Sequence, residues 1–200
     1  MPHPSRRVRL LLLLGLLVPV IAAVGETTQL VEWTEGFQLH WSLFLASPPP
    51  DASPNDPSGI HIELKWHSFH HAVRSGSNWT GCVSSVIVTN VMNPKLSWVR
   101  KDLASDAALR HATYHFRLFE VYREKLEAAL LAVRVPARTS DEALELVYNR
   151  ACQVADGILD RAYDVRQQYE LETSSGTNAV RQQSWEGDID AWLVNPALAP

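Results

Sequence analysis

LASDAALRHATYHFRLFEVYREKLEAALLAV, residues 103–133, decides the architecture. Within it Ala108, Ala112, His115, Phe119, Tyr122, Leu126, Ala129 and Val133 recur at alternating spacings of four and three, one apolar stripe of a helix. The spacing predicts a single long helix over 103–133, stopped by Pro136. Thr139 and Glu142 then form a capping-box pattern that opens a second helix. Its stripe is Leu144, Tyr148, Ala151, Ala155, Ile158, Ala162, Val165 and Tyr169, and Ser174-Ser175-Gly176 ends it. A short amphipathic piece around Trp185 to Leu193 follows.

Upstream of this helical half the period is two. Ile60, Ile62, Leu64 and Trp66 face one side while His61, Glu63 and Lys65 face the other, the pattern of a half-buried strand. Val83 to Met92 carries Val and Ile on both faces and predicts a more buried strand, ended by Asn93-Pro94. Residues 28–46, with Trp33, Phe37, Trp41 and Phe44, predict short strand or turn structure. Ser47 to Gly59 contains five prolines and predicts a loop. Strands first and two long helices after them make the fold α+β, a small N-terminal sheet with two packed helices.

Two hundred residues suit one domain with a real core. Residues 1–25 stand apart from it: Arg6, Arg7 and Arg9, then an apolar run from Leu10 to Val24, then Ala23 and Gly25 at a cleavage-like site. This is the pattern of a signal peptide, with a retained anchor as the alternative. Residues 26–200 are then the mature domain, expected to be secreted or periplasmic with no membrane span. The chain carries 18 Lys+Arg against 22 Asp+Glu, a net charge of −4, and losing three arginines with the leader makes it more acidic. That argues against nucleic acid or an anionic membrane surface as a partner. Cys82 and Cys152, the only cysteines, predict one disulfide across about 70 residues, with two free thiols as the alternative.

His111 and His115 are the candidate metal ligands. Histidines four apart on a helix project from one face, as in the zinc frame H-E-x-x-H, where the glutamate serves as general base. Here Ala112 holds that position, and a methyl group accepts no proton, so no catalytic residue is assigned. A third ligand is sought on the second helix, from Glu142, Glu145, Asp156 or Asp160. Glu120, five residues past His115, points elsewhere and is expected to make a structural bond. His67, His70 and His71 are expected in an exposed loop, Tyr114 is a candidate oxyanion donor, and Trp79 is a candidate ligand contact.

Several segments taken together resemble a family of bacterial exported proteins of unknown function, labelled predicted secreted zinc-dependent proteases. They are Leu39-His40-Trp41-Ser42-Leu43-Phe44 with Pro48 to Pro50, Ser97-Trp98-Val99, the run from His111 to Leu126, and Tyr169 to Gly176 followed by Gln182 or Gln183 and Trp185. The likeness covers most of residues 30–193. It implies a zincin-like helix pair beside a small sheet, and zinc as the cofactor. The departures fall on the chemistry: Ala112 for the base, Arg117 for an aspartate, and Ser175 for the histidine expected as third ligand. Phe116, Glu120, Tyr122, Lys125 and Leu126 keep the family pattern. The resemblance therefore implies a pseudoenzyme that binds a peptide, protein or cell-envelope component. The alternatives are an active zinc hydrolase with a rearranged site, and a metal-free structural or assembly protein.

Overall fold

The computed structural model describes residues 29–200 and shows an α+β fold; the expected leader, residues 1–25, lies outside the described residues. The strands are β1 (Val31–Glu32), β2 (Ser58–Gly59), β3 (Ile62–Ser75), β4 (Asn78–Met92) and β5 (Trp98–Val99). Then come α1 (Asp106–Leu131), β6 (Arg134–Ala137), α2 (Ser140–Thr173) and α3 (Ala179–Val194). β3 and β4 form a long antiparallel hairpin, with a register shift between Phe69 and His70. β1 and β6 share the other edge of β4, β1 against Val91 and Met92 and β6 against Trp79 to Cys82. β2 and β5 make a separate small pair.

The helices cover one face of this sheet. Ile62, Leu64 and Met92 from the strands meet Phe116, Phe119 and Tyr122 of α1 and Ala162, Val165 and Tyr169 of α2 in one core. Each large apolar side chain removed from water there contributes roughly 1.5–3 kcal/mol. Small residues down the inner side of α2 let the two long helices approach. Ser105 caps α1 by accepting from Ala108 N–H, and Thr139 caps α2 by accepting from Glu142 N–H. The Glu142 carboxylate reaches back to Arg138 N–H, closing the box one residue earlier than the pattern implies.

Several expectations are corrected. The strand ending at Trp66 continues to Ser75, so His67, His70 and His71 lie in β3 and not in a loop. Pro136 stops no helix directly; it sits in β6, a short edge strand, where a missing N–H is tolerated. At the start of α2 the buried positions are Ala143 and Val147, while Leu144 and Tyr148 are exposed. Cys82 and Cys152 are free thiols. The Cβ direction of Gly81 meets Ala143 and Val147 of α2, so by strand alternation the neighbouring Cys82 side chain faces the other side of β4, away from the helix that carries Cys152.

The Gly81 contact is tight: a Cβ there would stand 2.1 Å from the Ala143 carbonyl oxygen and 2.9 Å from Val147 Cβ. Neither neighbour can move freely. Gly81→Ala is expected to destabilise the protein by about 1–3 kcal/mol, read as a lower urea midpoint.

Candidate metal centre

α1 and α2 run antiparallel, and α3 folds back over their far ends. His111 and His115 project from the first half of α1 toward the last turns of α2, where they meet Glu170. His111 Nε2 and His115 Nε2 are 3.1 Å apart, and the Glu170 carboxylate oxygens lie 3.1 Å from the first and 3.0 Å from the second. Among the described residues this is the cluster of His, Cys, Asp and Glu arranged to hold a metal ion. Zinc ligands at 2.0–2.1 Å in a tetrahedron stand about 3.3 Å apart. The observed triangle is within a few tenths of an ångström of that.

The hydrogen-bond partners around the cluster suit it to a cation. Gln182 on α3 donates its Nε2–H to Glu186 Oε1 at 3.0 Å, and Glu186 pairs with Arg110. Gln182 Oε1 therefore faces His111 Nδ1 at 2.9 Å, with the Tyr169 hydroxyl at 3.0 Å. His111 Nδ1 must donate to that oxygen. In the neutral ring the Nε2 lone pair then points at a carboxylate oxygen and a second imidazole nitrogen, a contact that needs a proton or a metal ion between them. Burial pushes His115 down to about 4, against the opposing pull of Glu170, so that ring is neutral at pH 7. Burial acts to raise the Glu170 carboxyl, but hydrogen bonds from His111 and His115 outweigh it and hold it well below the usual range. A carboxylate and a neutral imidazole are the forms that bind metal.

The surroundings fix the donors in place. Tyr169 stacks on His111 with ring centroids 4.7 Å apart, and its hydroxyl, 3.2 Å from the His111 carbonyl and 3.0 Å from Gln182 Oε1, donates to one of the two. The C-terminus of α2 turns through Ser174, Ser175 and Gly176, all at positive φ. A Cβ on Gly176 would stand 2.7 Å from His111 Cβ, so glycine is required there for both space and backbone. This turn lays α3, with Gln182, against His111. His115 Nδ1 is buried without a hydrogen-bond partner. Only 4% of His111 and 1% of His115 are exposed, whereas the Glu170 side chain is 37% exposed. Approach to the cluster is therefore from the Glu170 side.

The sequence-derived candidates divide clearly. His111 and His115 converge as expected, and Ala112 is buried in the core. The third donor comes from the second helix, as sought, but it is Glu170; Glu142, Glu145, Asp156 and Asp160 are all exposed. Glu120 points away, bonding Asn90 and Arg123. Ser175 bonds Asp56 at 3.0 Å and is not a ligand. The Tyr114 hydroxyl donates to Asp190, and Arg117 pairs with the same carboxylate at 2.6 Å, tying α1 to α3. Trp79 lies in β4 opposite Ala137.

Fold and site together define an α+β protein with a buried two-histidine, one-carboxylate cluster. No helix among the described residues is long and apolar enough to cross a membrane. Comparison with protein-family models, with curated proteins and with solved structures gives no match for this chain.

Proposed function

We propose that this is an exported zinc-binding protein with a zincin-like helix pair and a degenerate metallopeptidase centre, which captures a peptide, protein or cell-envelope component without cutting it. The observation that carries the reading is the triangle of His111, His115 and Glu170, a His₂Glu donor set of the kind found at catalytic zinc sites. Bound there, zinc would supply Lewis acidity toward a carbonyl or a water. The chain's own residues do the rest. Gln182 fixes the His111 tautomer, Tyr169 holds both rings, and Glu170 supplies the negative charge and the exposed side of the site.

What argues against peptidase chemistry is the position after His111. Ala112 is 1% exposed and belongs to the core. Glu186, the carboxylate nearest in the network, is tied to Arg110 and Gln182. General-base assistance contributes about 10² to 10⁴ in rate, and among the described residues none bonded to the cluster is placed to provide it.

The test is the zinc content of the purified protein by elemental analysis, beside a His111→Ala/His115→Ala double variant. One zinc per chain in the wild type and none in the variant is expected, with no cleavage of peptide substrates by either. Absence of zinc after saturation and desalting would leave the cluster a metal-free polar core, and zinc-dependent proteolysis would make the protein a hydrolase.

A further inference from the structure

Arg166 stands one helical turn before Glu170 on α2. With Tyr163, Gln167, Glu170 and Leu171 it lines a groove of about 460 Å³ on the exposed side of the donor cluster. Its Nη2 donates to the Ile60 carbonyl at 2.9 Å, and its guanidinium lies 6.0 Å from the centre of the Phe119 ring. No carboxylate forms an ion pair with it among the described residues. Arg110, Arg117 and Arg123 of α1, by contrast, are all paired with acids. Arg166 and Glu170 line the same groove, so the cation stands on the side of the cluster that carries the carboxylate.

That placement sets a charge problem for a loaded site. A divalent ion brings two positive charges, Glu170 cancels one, neutral imidazoles cancel none, and Arg166 adds another. Uncompensated charge in a partly buried setting is costly. A guanidinium fork matches an oxyanion bidentately.

We propose, building on the zinc-binding reading above, that the groove is an oxyanion site in which Arg166 holds a carboxylate or sulfate-like group of the ligand beside the metal. Metal and anion then bind with positive coupling, and the captured ligand is one that presents such a group. Arg166 by itself weakens metal binding, and together with an anion it strengthens it.

The test measures zinc affinity of the full chain by competition with a chromophoric chelator, in chloride, acetate and sulfate at equal ionic strength. Wild type is expected to bind zinc at least about fivefold more tightly in acetate or sulfate than in chloride, within the usual range of site coupling. A response to acetate alone assigns a carboxylate ligand, and one to sulfate alone a tetrahedral oxyanion. Arg166→Gln is expected to bind zinc more tightly than wild type in chloride and to lose the anion dependence. If that variant does not fold, Arg166→Lys, which keeps the charge without the fork, is expected to retain only part of the coupling. Equal zinc affinity in the three anions, or an undiminished anion effect in whichever variant folds, overturns this proposal alone. No zinc binding in any of the three overturns the metal reading and this one with it.

Discussion

Glu170→Gln is expected to weaken zinc binding at least roughly a hundredfold and to destabilise the metal-free protein at neutral pH. Both effects come from the loss of one charge. Without metal, the Glu170 carboxylate is hydrogen-bonded by His111 and His115, which hold its carboxyl well below the usual range, so the ionised form stabilises the fold above the unfolded carboxyl's pKa and that contribution is lost as pH falls or when the charge is removed. An amide in place of the carboxylate carries no charge and offers one acceptor oxygen to the two histidines where the carboxylate offers two. Glu170 is also the partly exposed member of the cluster, and exchange for an isosteric side chain disturbs little packing. For metal the same change is severe. Glu170 is the only anionic donor of the three, and losing even a supporting partner of a ligand costs ten- to a hundredfold in affinity. Chelator competition reads the first effect and thermal unfolding of the metal-free protein the second. A clear loss of metal-free stability with unchanged zinc affinity would mean that Glu170 is a structural partner of the histidines and not a ligand.

Glu170 escaped the sequence reading for a reason that can be measured along the chain. With two antiparallel helices joined by a short connection, the acids level with His111 fall near Asp156 and Asp160. The connection is not short. From Val133, which lies against Val83, the chain continues as β6 along Cys82 to Trp79, in the direction α1 was already travelling. Four strand residues at about 3.3 Å each carry it some 13 Å further. α2 must cover that distance on its return, about nine residues at 1.5 Å each, which moves the level of the histidines on to Glu170. β6 itself was hidden because Pro136 reads as a helix stop. The capping box at Thr139, the core stripe of α1 and the His111/His115 face were legible because each depends on local spacing alone.

The far half of β3 shows the other limit. Up to Trp66 the inner positions are large and apolar. Beyond it they are Ser68, His70 and Ala72, while the outer face carries Phe69 at 48% and Val73 at 46% exposure. Alternation of polarity vanishes although alternation of side-chain direction continues. The hairpin is held there by its ladder and by the contact of Gly81 with α2, which periodicity cannot report.

Ala112→Glu restores the missing base of the zinc motif on paper, and it is expected to damage the fold instead of creating an enzyme. Ala112 is packed in the core shared with Phe116, Tyr169 and Trp185. A carboxylate placed there has no partner and must be protonated or dragged to the surface, and its extra volume adds overpacking of about 1–3 kcal/mol. The combined cost is roughly 3 kcal/mol or more, a fall in Tm of about 6–12 °C for a chain of this size. Ala112→Met separates the two contributions, since it adds similar volume without charge and should lose only the packing share. Peptidase activity is expected from neither. A glutamate variant that unfolds near the wild-type temperature and cleaves peptide only with zinc present would show that position 112 reaches the cleft. The alanine would then be the single change separating this protein from a working metallopeptidase. If both variants lose stability and neither cleaves, the surrounding core has closed over the position, and one substitution cannot bring the chemistry back.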